Sequence, residues 1–194
     1  MKRILCFGDS NTYGYDPRSY FGGRYDAGSR WVDLLAQASG WEVQNAGENG
    51  REIPRREGEL LRFQQLLADA QPVDLLLVML GSNDLLQGVE AAQVAARMED
   101  FLEKVPLPRE KVVLIAPPPM KWGAWVTEDR LPEDSLRLIA AFRALSQRLG
   151  TRFVDTERWE IDLTFDGVHF SEQGHRAFAQ RLSLILRKLA DSHK

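Results

Sequence analysis

A small hydroxyl residue at the end of a short apolar run is a candidate nucleophile, and this chain has one near its start. Phe7-Gly8-Asp9-Ser10-Asn11-Thr12-Tyr13-Gly14 continues Ile4-Leu5-Cys6-Phe7, a run that reads as a buried strand. In open parallel α/β sheets, ligands bind outside the carboxyl ends of the strands, so Ser10 stands where an electrophile would be presented. Gly, Asp, Ser and Asn are also ordinary turn residues, and a capping turn without chemistry is the competing reading. Acyl transfer through a serine further needs a base, a group that orients the base, and donors for the developing oxyanion. The chain holds three histidines: His169, His175 and His193. His193 lies next to the C-terminus, where chains fray, and His175 falls in the last helical pattern and is expected on its surface. His169 stands in a loop with a carboxylate three residues earlier. Asp166-Gly167-Val168-His169 lets Asp166 turn back on the imidazole, fix its tautomer through Nδ1–H, and leave Nε2 for the proton of Ser10. A surface turn with an incidental histidine has the same spacing, and Asp155 and Asp162 compete as the partner carboxylate.

Oxyanion donors must sit about 3 Å from the developing charge. Gly50 offers a backbone N–H with no side chain in the way, Asn83 a side-chain amide, and Ser10 its own N–H. Taken singly, Gly47 and Gly50 are equally a tight turn, and Asn83 a helix cap. Asp9 and Asp84 read as structural carboxylates accepting backbone N–H bonds. Tyr13, Tyr15, Trp122 and Trp125 are candidate apolar pocket walls; core or subunit-contact roles compete. Oxygen and imidazole donors at strand ends also admit a metal-dependent phosphohydrolase with Asp9, Asn83, Asp166 and His169 as ligands. A binding domain without catalysis is a third class.

These residues must be positioned by regular elements, and the chain alternates them. A helix is expected from about Arg30 to Ser39, capped by Ser29 or Gly28, with Trp31, Leu34, Leu35 and Ala38 on one face. Gly40 stops it, and Trp41–Asn45 reads as a second strand leading into Ala46-Gly47-Glu48-Asn49-Gly50. Leu60, Phe63, Leu67 and Ala70 keep helical spacing between Pro54 and Ala70. The basic spots at Arg51, Arg55 and Arg56 are interleaved with Glu52, Glu57 and Glu59 and read as a solvated helix start. Val73–Leu80 is nearly unbroken apolar sequence, as in a central strand covered on both faces, and ends in Gly81-Ser82-Asn83-Asp84. Val94, Met98, Phe101, Leu102 and Val105 mark a helix, and Lys111–Ala116 a fourth strand ending in Pro117-Pro118-Pro119. Pro132 is expected to open a helix carrying Leu138, Phe142, Leu145 and Leu149, before a fifth strand at Arg152–Asp155. Ser171 can cap a last helix facing inward through Phe178, Leu182, Ile185, Leu186 and Leu189. Between Gly14 and Arg30 lies a loop with Tyr15, Tyr20, Phe21 and Tyr25 and no apolar period; loops this long are usually functional or disordered. Strands alternating with helices predict an α/β fold: one doubly wound, flavodoxin-like domain over 1–194, with about five parallel strands and helices on both faces.

Length and charge bound the function. The 194 residues suit one well-buried domain, and a net charge of −3 gives no pull toward nucleic acid or an acidic membrane. No stretch approaches the roughly 20 apolar residues of a bilayer span, and the early strand leaves no room for a signal peptide, so a cytoplasmic protein without nucleic-acid or membrane partners is expected. Cys6, the single cysteine, reads as a small buried apolar residue. Exposed loop aromatics leave room for a homo-oligomer.

Gly8-Asp9-Ser10, the Asn45-to-Gly50 turn, Gly81-Ser82-Asn83-Asp84 and Asp166-Gly167-Val168-His169 occur in this order over nearly the whole chain. The set resembles the SGNH hydrolases, also called the GDSL esterase/lipase family. The resemblance implies Ser10 as nucleophile, His169 as base, Asp166 as its partner, and an oxyanion hole formed by the Ser10 amide, Gly50 and Asn83, with no metal or cofactor. Lys2-Arg3-Ile4-Leu5-Cys6-Phe7-Gly8-Asp9-Ser10 and the Ala116-Pro117-Pro118-Pro119 exit look most like the bacterial arylesterase/acyltransferase branch, which acts on short acyl esters and in some members transfers acyl groups to alcohols or peroxide. The implied activity is hydrolysis of short-chain carboxylic esters, acetyl esters above all, through an acyl-enzyme, with acyltransferase side activity; carbohydrate O-acetylesterase and lysophospholipase are alternatives on the same site. Two departures stand out. Asn11 occupies the place of the leucine in the Gly-Asp-Ser-Leu signature, and the segment between Gly50 and Val73 is shorter than in some acyltransferase members.

Overall fold

The computed structural model describes residues 1–191; His193 lies outside the described residues. The elements in chain order are β1 (Arg3–Gly8), α1 (Ser10–Tyr13), α2 (Trp31–Ser39), β2 (Glu42–Gly47), α3 (Glu57–Asp69), β3 (Leu75–Met79), α4 (Ser82–Leu86), α5 (Ala91–Glu103), β4 (Val112–Ile115), α6 (Arg130–Leu149), β5 (Arg152–Val154) and α7 (Glu172–Asp191). The five strands form one sheet in the order β2-β1-β3-β4-β5, every pairing parallel.

Parallel strands joined by helices must be covered on both faces, and strand periodicity decides which side chains go where. Leu5 and Phe7 of β1, with Leu76 and Val78 of β3, pack against Phe63 and Leu67 of α3, Met98 and Phe101 of α5, and Leu138 and Phe142 of α6. Ile4 and Cys6, with Leu75, Leu77 and Met79, point the other way, onto Trp31 and Leu35 of α2 and Phe178, Leu182 and Leu186 of α7. Full burial of such side chains contributes about 1.5–3 kcal/mol each, so both faces hold the sheet. Burial also pushes the Cys6 thiol well above the usual range; with the thiolate suppressed, Cys6 is an apolar core residue.

Register brings three loops together. Gly8 is level with Gly47 on one side and Met79 on the other, so β1, β2 and β3 end side by side. The order in which successive strands are added reverses between β1 and β3, and the crevice at such a switch point is where doubly wound folds bind ligands.

Several expectations are corrected. The residue preceding α2 is Arg30, which makes no side-chain cap bond; the Ser29 hydroxyl instead lies 3.5 Å from Glu172 Oε2. Ala38 is exposed, leaving Trp31, Val32 and Leu35 as the buried face of that helix. Pro132 sits at the third residue of α6, where a missing N–H is still harmless, since the helix begins at Arg130. His175 is fully buried, because the one α7 face covers the sheet and the α2 N-terminus together. Arg51 is not part of a solvated helix start: its Nη1 donates to Gly8 O at 2.7 Å and to Ala46 O, and its guanidinium lies 4.3 Å from the centre of the Phe7 ring.

Candidate active site

Ser10 begins α1, whose preceding residue Asp9 accepts the Asn11 N–H through Oδ1 at 2.9 Å. That short turn holds Ser10 at the carboxyl end of β1, 7 % exposed. From the other end of the chain, His169 Nε2 comes within 2.9 Å of Ser10 Oγ, and its Nδ1 within 2.7 Å of Asp166 Oδ2. The second Asp166 oxygen accepts the N–H groups of Val168 and His169, each at 2.9 Å. Burial opposes the Asp166 charge, but the His169 ring and these two N–H groups outweigh it and hold the carboxyl below the usual carboxylate range. An ionised Asp166 places the imidazole proton on Nδ1 and leaves Nε2 as an acceptor for the serine proton.

The competing carboxylates are engaged elsewhere. Asp155 Oδ2 takes Arg143, with Arg143 Nε at 3.0 Å, and Asp162 Oδ2 takes the Ser171 hydroxyl. The turn carrying Asp166 is held from outside by the segment after β4. Lys121 N donates to Gly167 O, Ala124 N to Phe165 O and Trp125 N to Asp166 O, each at 3.0 Å.

Gly50 follows β2 in the left-handed region, at φ 73°, a conformation that favours glycine. Asn83 is in the first turn of α4, after β3, and its Nδ2 donates one hydrogen to Arg51 O at 3.0 Å. The other amide hydrogen is thereby aimed away from that bond. Asp84, fully buried, accepts Ile53 N–H at 3.1 Å and Arg97 Nη1 at 2.7 Å. Burial pushes its pKa up, against the pull of Arg97 and the Ile53 N–H. The Asn83-Asp84 pair thus grips the Arg51-to-Ile53 strand-exit loop at two points, fixing Gly50 beside it. Glu48 N–H donating to Gly8 O at 3.1 Å ties the same loop to the β1 exit.

Of the four candidate wall residues, two border the base. The Tyr15 and Trp125 rings stand edge-on to His169, with centroids at 4.9 and 5.0 Å. Trp122 is 62 % exposed, and Tyr13 packs under the Arg24 guanidinium at 4.4 Å. Of the loop aromatics, Tyr20 and Phe21 are exposed and lie against each other, and Tyr25 is buried against His175. A cavity of about 650 Å³ between β2 and α3 shares Gly50 and Arg51 with this region without reaching Ser10 or His169. Among the described residues no group of three or more His, Cys, Asp or Glu side chains is gathered to hold a metal ion, and both Asp166 oxygens are already hydrogen-bonded.

Two site residues were not among those expected from the sequence. Arg51 was indistinguishable from its basic neighbours because its acceptors are carbonyls on other strands. Asn11 is 6 % exposed and bonds on both sides of His169, to Val168 O and from Phe170 N; the one available hint was an amide directly after the serine where a leucine was expected.

Residues 6–177 match the family model of the GDSL-like lipase/acylhydrolase family. The fold is similar to that of the aryl esterase from M. smegmatis, with 26 % identity, a TM-score of 0.82, and coverage of 97 % of this chain and 100 % of that one. It is equally similar to a carbohydrate acetylesterase family member from Sinorhizobium meliloti, with 27 % identity, a TM-score of 0.82, and coverage of 97 % and 99 %. A lipase/acylhydrolase from Enterococcus faecalis, 22 % identical with a TM-score of 0.77 and coverage of 97 % and 96 %, shares the fold. No curated protein matches the chain in sequence.

Proposed function

This chain belongs to the GDSL-like lipase/acylhydrolase family and is a carboxylic ester hydrolase, and from that premise we propose that it cleaves short-chain, above all acetyl, esters through an acyl-enzyme on Ser10. The observation that carries the proposal is the continuous relay from Ser10 Oγ through the His169 ring to Asp166, at 2.9 and 2.7 Å. In the first half-reaction Ser10 Oγ attacks the ester carbonyl carbon while its proton passes to His169 Nε2. The carbonyl oxygen takes the negative charge, facing the N–H groups of Ser10 and Gly50 and the Asn83 amide. Losing one such donor typically costs about 2.7–4 kcal/mol of transition-state stabilisation. Collapse breaks the bond to the alcohol oxygen, which takes the proton from His169 and leaves. Water then repeats the sequence on the acyl-enzyme, restoring Ser10 and releasing the acid.

The leaving oxygen must lie beside His169 Nε2, so the alcohol portion of the ester faces the two rings that flank that histidine. Tyr15 and Trp125 suit a flat aryl or sugar ring there, which supports aryl esters and, as a second reading, O-acetylated carbohydrates. An ester series with one p-nitrophenyl alcohol and acyl chains of increasing length tests the acyl side. Activity is expected to peak at acetate to butyrate and vanish in Ser10→Ala. A steady rise beyond butyrate would overturn the short-acyl reading.

A further inference from the structure

Asn11 takes no part in the bond changes above, yet its side chain engages the backbone on both sides of the base. Nδ2 donates to Val168 O at 3.1 Å and Oδ1 accepts Phe170 N–H at 2.9 Å. Val168 and Phe170 are the residues immediately before and after His169. Asn11 is itself fixed in the serine turn. Its N–H donates to Asp9 Oδ1 at 2.9 Å, and its carbonyl accepts the Trp31 indole N–H at 2.9 Å.

We infer that Asn11 is a positioning residue that sets the distance between the Ser10 hydroxyl and the His169 imidazole, an inference that rests on the roles proposed for those two residues. Asp166 orients the ring but belongs to the same loop as His169, so it moves with the base. The segment after β4 holds that loop from the far side. Asn11 ties the loop directly to the turn bearing the nucleophile, one residue from Ser10, by an amide that donates at one end and accepts at the other. A leucine keeps the bulk but leaves Val168 O and Phe170 N–H without this partner in a buried place. An aspartate is isosteric and keeps the acceptor toward Phe170 N–H, but sets an oxygen against Val168 O. Misplacing reacting groups by about 1 Å can cost on the order of 100-fold in rate.

The test compares wild type, Asn11→Leu and Asn11→Asp for the second-order rate of covalent labelling by a fluorophosphonate, with kcat and KM on p-nitrophenyl acetate. Measurements are made well below each unfolding midpoint and normalised to folded protein by circular dichroism. Labelling and kcat are expected to fall together, by about 100-fold in the leucine variant and about tenfold in the aspartate variant, with KM within about twofold. A purely structural role would lower the unfolding midpoint and leave the labelling rate of the folded protein unchanged, and that result overturns the inference. If the leucine variant does not fold, the aspartate variant decides by the same comparison. Wild type that fails to label at Ser10 would overturn the underlying catalytic reading and this inference with it; wild type that labels beside equally reactive variants overturns the inference alone.

Discussion

Asp9 illustrates how a residue next to the nucleophile is loaded by the fold. The residue is 2 % exposed. Burial pushes its pKa up from 3.8 to about 6, against the opposing pull of the Asn11 N–H, His169 and Arg51. Because the folded value lies above the unfolded one, the folded state holds the extra proton between these limits, and stability falls as pH rises through about 6. At about 1.36 kcal/mol per unit, the ionised form above that pH is on the order of 3 kcal/mol less favourable for folding than the neutral form. Asp9→Asn keeps an oxygen for the Asn11 N–H and removes the charge. The variant is therefore expected to gain stability over wild type as pH rises from about 4 to about 6 and to keep that gain above it, read from urea midpoints between about pH 4 and 8. A constant difference would mean that Asp9 is not neutralised in the folded protein. At this scale the sequence disclosed the residues whose partners are close in the chain, such as Asp166 three before His169. It could not disclose Asn11 or Arg51, whose partners are backbone groups brought in by other elements and leave no mark in local spacing.

Elements position the site through where they stop. β1, β2 and β3 end level with one another, and the polar turns that follow them carry Ser10, Gly50 and Asn83. Those strands and the main helices were readable because apolar period and glycine or proline stops agree. Helix starts were less so: Arg30 opens α2 without a side-chain cap, since burial of Trp31 and its packing on α7 decide where that helix begins. The strap between β4 and α6 has no period at all, and its role emerges only from contact with the Asp166 turn. Gly123 lies against that turn so closely that a Cβ there would come within 2.4 Å of Asp166 C and Gly167 N. Backbone cannot yield as a flexible side chain can, so Gly123→Ala must displace either the strap or the turn. The expected result is a drop of about tenfold or more in kcat, since Asp166 and His169 shift together relative to Ser10, along with a lower unfolding midpoint. Wild-type kcat in the alanine variant would show that the strap can move without the turn.

On the scale of the whole molecule, the sheet is closed on its second face by α2 and α7, which meet around His175. The sequence placed His175 in a helix but on its surface, because a histidine between Gly174 and Arg176 gives no sign of the opposing wall. In the fold it lies between Tyr25 and Phe170, with Nδ1 3.4 Å from Trp31 N. Burial above all, with His169 and Arg30 nearby, lowers its pKa from 6.5 to about 3. The folded value lies below the unfolded one, so between these limits the unfolded chain binds the extra proton. The stabilising contribution is complete above about pH 6.5 and is lost as pH falls toward 3, by up to about 5 kcal/mol at 1.36 kcal/mol per unit. Asp9 works in the opposite sense over part of that window, gaining as its carboxyl protonates, so the acid limb of wild type is the balance of the two. His175→Phe retains the aromatic packing, gives up the acceptor for the Trp31 N–H and removes the buried Nε2, which has no hydrogen-bond partner; the two effects oppose each other at about 1 kcal/mol each near pH 7. It also removes the group that must shed its proton to fold. The variant is thus expected to match wild type within about 1 kcal/mol at pH 7 and to be more stable at pH 4, by about 3 kcal/mol there, with the two curves of urea-derived stability diverging below about pH 6.5. Curves that stay parallel from pH 7 to 4 would mean that the folded protein accepts the His175 proton, and that the interface between α2 and α7 admits charge its packing is built to exclude.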